Sequence, residues 1–239
     1  PVWPTQAVDW PVRQRSHGWP DTETIQHIVS DGCDVVRVSH PHCQQDKYMF
    51  RLSFSRAEVV LLNSWTPVQQ MVYHLLRFLL KRERPLELRD DNGHKLLSNY
   101  HLKTLMLWAV ELKPVSWWTG NLNLVRTCKI LLHTLADWIK NGECKQFFIP
   151  QCNLITWNCT SKSSDHIANY LKTLSDQSLS AWFLRKYGGE IMNAYSDNIR
   201  IKVEDVERTK EFLIGATINV LHMIENFTVQ SYLRLRTSL

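Results

Sequence analysis

Between Met49 and Glu58 the chain reads MFRLSFSRAE, which places Arg51, Ser53, Ser55 and Glu58 within eight residues. Arginine on a strand reaches a phosphate or a base edge through paired hydrogen bonds, or it is simply solvated. A second group stands in SNYHLKT, Ser98 to Thr104. If Ser98 opens a helix, its first turn gathers Asn99, Tyr100 and Lys103 around backbone N–H groups that attract phosphate, and an aromatic ring beside such a site can stack on a base. The plainer reading is a capped helix with Tyr100 half buried.

Other chemistries find less support. The chain has no Gly-rich phosphate loop, no H-E-x-x-H and no nucleophile elbow. Carboxylate pairs stand at Asp21/Glu23, Asp90/Asp91 and Glu204/Asp205. Two-metal phosphoryl chemistry needs acids held on rigid elements. Asp90/Asp91 falls in the turn RDDNGH, and the other pairs fall in or beside helix first turns, where acids are favoured anyway. His40, His42 and Cys43 are zinc-type ligands without an evident fourth partner. The expectation is therefore no catalytic residue and no metal ligand within the chain.

The elements that would carry the two groups are legible from pattern. CDVVRV (33–38) and YMFRLSF (48–54) read as strands, and Asp21–Ser30 as a short helix. Ser55-x-x-Glu58 reads as a capping box opening a helix at 55. Thr66-Pro67-Val68-Gln69 opens another, with Val68, Met71, Val72, Leu75, Leu76, Leu79 and Leu80 on one buried stripe. The helix from Ser98 turns Leu102, Leu105, Met106, Ala109 and Leu112 inward and closes at Pro114. A third long helix runs from Asn121 to Asn141 and ends at Gly142. Three more are expected over 163–175, 178–187 and 203–226. The Trp- and Pro-rich residues 1–20 suggest an irregular surface segment. The fold class is mainly α: a helical bundle with a short N-terminal piece of β-sheet.

Bulk composition agrees. Hydrophobic content of 44% with ten Trp in 239 residues is globular. A net charge of +5 permits a phosphate-bearing partner without demanding one. The start has no apolar signal region, and the most apolar run, 212–224, is short of the roughly 20 residues a membrane span needs. Six scattered cysteines with no C-x-x-C pair suggest free thiols in a cytoplasmic or nuclear setting. The missing initiator Met suggests a piece of something longer.

FRLSFSRAE, then SNYHLKTLMLW, then CKQFFIPQCNLI (144–155) resemble, in that order, the male-abnormal (Mab) family, the nucleotidyltransferase-like group that includes cyclic GMP-AMP synthase. Members typically read W-R-L-S-F-S-x-x-E, S-S-Y-H-x-K-T and Y-F-I-P-x-x-N-L at these places. The likeness runs over about residues 1–160. It implies two lobes with nucleotide between them: residues 1–54 the end of the nucleotidyltransferase-like lobe, 55–160 a helical lobe of HhH/H2TH-like kind, and 161–239 a helical extension. It also implies that Arg51, Ser53, Ser55 and Glu58 face a donor nucleotide, that Tyr100 stacks on a base, and that Asn99 and Lys103 lie nearby. Mg2+ with ATP or GTP would belong to an active parent synthase.

This sequence departs from the family in ways that matter. Active members carry Gly-Ser followed by D-x-D, and here no Gly is followed by Ser. Asn63–Gln69 contains no His or Cys, so the zinc thumb of the DNA-sensing synthase is missing. A phosphate-binding lysine of the synthase falls at Val72, and Asn99 replaces a serine. The expectation is a wall of a nucleotide-triphosphate cleft whose catalytic lobe lies upstream, in a protein of innate immune sensing. The alternative is an inactive module for protein interaction or developmental signalling. A double-stranded nucleic acid surface built on Lys81, Arg82, Arg84, Lys140, Lys145, Arg185 and Lys186 ranks last.

Overall fold

The computed structural model describes residues 2–37, 50–83, 96–119, 124–155, 162–183 and 185. Several expectations therefore lie outside the described residues: the His40/His42/Cys43 loop, the acid pairs Asp90/Asp91 and Glu204/Asp205, the helix over 203–226, and the basic residues Arg84 and Lys186.

The chain opens with a 3-10 turn, Thr5–Ala7, and then helix α1 (Thr22–Asp31). Asp21 caps α1 by accepting from the Thr24 backbone N–H at 2.7 Å, which gives the first acid pair a structural task. Strands β1 (Asp34–Arg37) and β2 (Phe50–Ser53) pair antiparallel, with Asp34 opposite Ser53 and Val36 opposite Arg51. Helices α2 (Ser55–Asn63), α3 (Pro67–Arg82), α4 (Asn99–Leu112), α5 (Val115–Thr119), α6 (Leu124–Asn141), α7 (Lys162–Thr173) and α8 (Asp176–Trp182) follow. The mainly helical expectation with a small sheet is met.

Helix α6 is central. It packs along α7, α3, α8 and α4, burying Leu124, Val125, Cys128, Leu131, Leu132, Leu135, Ala136 and Ile139. That spacing is one continuous stripe. Gly142 ends the helix at a φ of 66°, a left-handed conformation that a Cβ would penalise. The stripe read for α3 is inward too, and Thr66 with Gln69 forms a true capping box there. Val72 is fully buried in this core, so the valine itself reaches no ligand.

Three expectations need correction. The expected surface segment is right only in part: most of residues 2–20 are exposed, but Trp10 is 0% exposed and Ala7 1%. The segment lies on an aromatic cluster of Trp3, Trp10, Phe54, Phe147 and Phe148, with ring centroids 4.4 to 6.2 Å apart. Irregular backbone usually stays at the surface because its polar groups need partners. Here Trp3 Nε1 donates to the Ala7 carbonyl at 2.8 Å, and Arg15 Nη2 to the Trp10 carbonyl at 2.6 Å.

Leu112 is 60% exposed, and Glu111 beside it is buried instead. Glu111 receives Arg13 Nη2 at 2.6 Å and Arg15 Nε at 3.2 Å, and Arg13 also donates to the Phe147 carbonyl at 2.7 Å. The end of α4 therefore turns its acid to the N-terminal segment. After Pro114 the chain also winds at once into α5, where the sequence suggested only a stop. The third correction, at the start of α2, belongs to the site.

Removing Glu111 would leave two guanidinium groups in a largely desolvated place without their counter-charge. Burial already pulls both arginines below the ordinary guanidinium value, and Glu111 offsets that pull. Glu111→Ala is expected to cost about 3–5 kcal/mol of unfolding free energy, measured by denaturant titration. A loss under about 1 kcal/mol would show that the carbonyl contacts alone hold the segment.

Candidate nucleotide-binding site

By sequence, Ser55 and Glu58 are the two halves of a capping box on α2. The structure assigns the N-cap to Phe54, and no side chain caps the helix. The reason is competition for both residues. Phe54 is drawn inward by stacking on Phe148, with centroids 4.4 Å apart and planes at 13°. That moves the helix start one residue earlier than the box requires. Ser55 Oγ accepts from Ser53 Oγ at 3.3 Å. The Glu58 carboxylate, 6% exposed as a residue, turns away from its own helix and accepts Lys103 Nζ at 2.6 Å.

Lys103 belongs to α4, whose own start is well satisfied. Ser98 Oγ accepts from the His101 backbone N–H at 3.4 Å, and His101 Nδ1 accepts from the Ser98 backbone N–H at 3.1 Å. His101 Nε2 lies 3.4 Å from the Leu154 carbonyl. Burial holds the imidazole below its ordinary value, which suits a neutral ring donating from Nε2. The structure thus contains the capped helix of the plainer reading, with a histidine where a capping box normally has Glu or Gln.

Tyr100, near the start of α4, is partly buried, and Lys103 Nζ sits 5.7 Å from its ring centroid. Its hydroxyl accepts from Gln146 Nε2 at 3.1 Å. Gln146 is 6% exposed, and its Oε1 accepts the backbone N–H of Phe148 at 2.6 Å and of Ile149 at 2.5 Å. That anchoring fixes which end of the amide faces Tyr100. Burial, and after it the adjacent Glu58 charge, pushes the Tyr100 hydroxyl up to about 12. The phenol therefore stays protonated at neutral pH.

The loop holding Gln146 is set by Asn153. Its Oδ1 accepts the Cys144 N–H at 2.8 Å, and its Nδ2 donates to the Gly142 carbonyl at 2.7 Å. A chain of contacts thus runs Gln146, Tyr100, Glu58, Lys103, joining one residue or more from each of the motifs around 54, 100 and 148. Sequence reasoning missed Gln146 and His101 as site residues. Their local hydrogen bonds do not mark them as site residues, because the contacts that do, to Tyr100 and Leu154, lie 46 and 53 positions away.

The remaining candidates look outward. Arg51 is exposed on β2 and has no ion-pair or hydrogen-bond partner among the described residues. Its charge lies close enough to Tyr100 to act on the phenol. Ser53 follows Arg51 on the same sheet face and is half-buried, whereas Ser55 and Asn99 are exposed. Arg56, within the same stretch, grips Asp34 with both arms of its fork. Nη2 donates to Oδ1 at 2.7 Å and Nε to Oδ2 at 3.1 Å, which ties α2 to β1. Of the expected basic surface, Lys81, Arg82, Lys140, Lys145 and Arg185 are exposed, and Lys145 pairs with Glu143 at 3.0 Å.

Comparison with known proteins decides the family. The model of the Mab-21 protein nucleotidyltransferase domain matches residues 1–64, and that of the Mab-21 protein HhH/H2TH-like domain matches residues 68–173. The chain belongs to the Mab-21 family. Protein mab-21-like 3 of Danio rerio is 29% identical over 168 residues, which cover 67% of this chain and 38% of the relative. Protein mab-21-like of Aedes aegypti is 25% identical over 161 residues, 64% of this chain and 40% of the relative. The chain therefore spans about two fifths of the length of these curated relatives. The two Mab-21 regions meet between α2 and α3, so the site's residues come from both of them.

The Tyr100 geometry has a pH consequence. A phenol raised from 10.0 to about 12 on folding contributes stability fully present below pH 10 and lost as the pH rises to about 12. Wild-type protein is therefore expected to lose up to about 3 kcal/mol more than Tyr100→Phe over that interval. Paired denaturant titrations at pH 9 and pH 12 measure the difference, and equal losses would mean that Tyr100 is solvated like a free phenol.

Proposed function

We propose that this Mab-21 chain forms one wall of a nucleotide-binding cleft. Arg51 carries the reading. An exposed arginine without a protein partner among the described residues stands beside two serine hydroxyls, at the start of a helix whose first-turn N–H groups no side chain caps. That is a favourable setting for phosphate oxygens. The neighbouring ring of Tyr100, fixed at its hydroxyl end by Gln146, offers a face to a base. Asn99 stands exposed beside it at the start of α4.

In its fuller form the reading makes the whole protein a cyclic-dinucleotide synthase of innate immune sensing, acting on ATP or GTP in the cytoplasm or nucleus. Among the described residues no helix is long and apolar enough to cross a membrane. Mg2+ would have to be held elsewhere. At this wall Glu58 is engaged by Lys103 and Asp34 by Arg56, and no three His, Cys, Asp or Glu side chains of the described residues come together as a metal site. These residues do not fit a two-metal centre, so no catalytic step is assigned to them.

A second reading has its own support. Glu58, Lys103, Tyr100 and Gln146 satisfy one another, as residues kept for structure would. That favours a non-catalytic Mab-21 module serving protein interaction or developmental signalling.

Calorimetry of ATP and GTP on the 239-residue chain separates the two. Tyr100→Ala and Arg51→Ala are each expected to weaken binding by about tenfold or more, the scale of one lost stacking or charge-assisted contact. Absence of binding, or binding indifferent to both changes, overturns the nucleotide reading and leaves the module.

A further inference from the structure

A carboxylate in a wall that is to meet phosphate would ordinarily repel it, and the surroundings of Glu58 show how that repulsion is managed. Glu58 is nearly buried, with 8% of its side chain exposed, whereas its partner Lys103 keeps 26%. One ammonium N–H goes to Glu58 at 2.6 Å, and the amine lies 5.7 Å from the Tyr100 ring centre. Its other donors have no partner among the described residues. The lysine is thus presented to solvent on one side and neutralised from beneath on the other. Arg51, whose charge also acts on Tyr100, is the second cation near that ring, so Arg51, Lys103 and Glu58 sum to a single positive charge where the two cations alone would give two.

We infer that Glu58 is a counter-anion built into the site, which holds Lys103 and sets how much negative charge an arriving group must carry to engage that lysine. The inference rests on the nucleotide reading and adds a selection rule to it. A singly phosphorylated group meets a lysine whose charge is already cancelled at 2.6 Å. A triphosphate brings several charges at once, contacts Arg51 with part of them, and has enough left to draw on the free N–H groups of Lys103. The site then favours polyphosphates over monophosphates by charge, independently of the base. Glu58 acts here through Lys103, as a positioning residue.

Inorganic probes isolate this from base stacking. Calorimetry with tripolyphosphate and with inorganic phosphate is run on the wild-type chain and on Glu58→Gln, which keeps the side-chain shape and removes the charge. The variant is expected to bind tripolyphosphate roughly tenfold more tightly and to bind phosphate measurably, so that discrimination between the two falls. Adding Lys103→Met to the variant is expected to abolish the gain.

Unchanged or weaker tripolyphosphate binding by a folded Glu58→Gln protein overturns the inference. If ATP binding by the wild type still depends on Tyr100 and Arg51 in that case, the nucleotide reading stands without it. If neither protein binds any phosphate probe, both fall. A readout on the wild type covers a variant that fails to fold. The Lys103 Nζ resonance, assigned by its loss in Lys103→Arg, is expected to move with tripolyphosphate and not with adenosine. A resonance unmoved by saturating tripolyphosphate also overturns the inference.

Discussion

The stack of Phe54 on Phe148 is the contact on which the site's geometry depends. Phe54 is the corner residue between β2 and α2, and Phe148 sits in the loop after α6, so a single pair of rings at 4.4 Å joins the two. Around them Trp3, Trp10 and Phe147 close the cluster, and Arg13 and Arg15 bring the N-terminal segment onto Glu111 at the end of α4. Aromatic pairs add about 0.5–1.5 kcal/mol beyond their burial. The larger effect here is directional. With Phe54 turned inward, Glu58 one turn later faces α4, and with Phe148 turned inward, Gln146 two residues earlier faces Tyr100.

That arrangement explains why Glu58 leaves its local partner for a distant one. A capping box contributes about 1 kcal/mol at a solvent-exposed helix start. Glu58 stands at 6% exposure, where an unpaired carboxylate costs several kcal/mol and a well-placed ammonium recovers much of that. The ion pair therefore prevails over the cap, and α2 begins without a side-chain cap. The same step leaves its first-turn N–H groups beside Ser53, Ser55 and Arg51 instead of satisfying them from within. Burial of one acid has thus shaped the polar surface a few residues away.

Much of this was legible in the sequence, and the limits have a physical pattern. Apolar spacing marked α3, α4 and α6 to within a few residues, because a buried stripe on a helix is a local property of the chain. The two strands, and the helix after residue 54, were legible for the same reason. The burial of Ala7 and Trp10 within the mostly exposed N-terminal segment was not, since a coil packed on rings has no period to detect. Nor was the exposure of Leu112, which depends on Arg13 and Arg15 claiming its neighbour Glu111 from about a hundred positions away. At the site, the residue types were visible in three motifs, while their assignment to one another was not. Ser55 and Glu58 fit a local rule that a long-range ion pair displaced.

The motif residues consequently fall into two physical kinds, although a sequence pattern treats them alike. Glu58, Lys103 and Gln146 direct their strongest interactions at the protein, and Tyr100 commits its hydroxyl the same way. Arg51, Ser55 and Asn99 stay at the surface and half-buried Ser53 lies beside them, and the side chains of all four commit little or nothing to the protein. Loss of function after substitution would not tell these kinds apart, because collapse of the support and removal of a contact both end binding. They differ in what else moves. A supporting residue changes the ionisation of Tyr100 and the unfolding free energy along with affinity, since it acts on a group inside the fold. On the proposed reading, a presenting residue would change affinity and its salt dependence alone, since its partner would arrive from solvent. For a wall made of both kinds, stability and binding measured together on the same variant carry the assignment that neither carries alone.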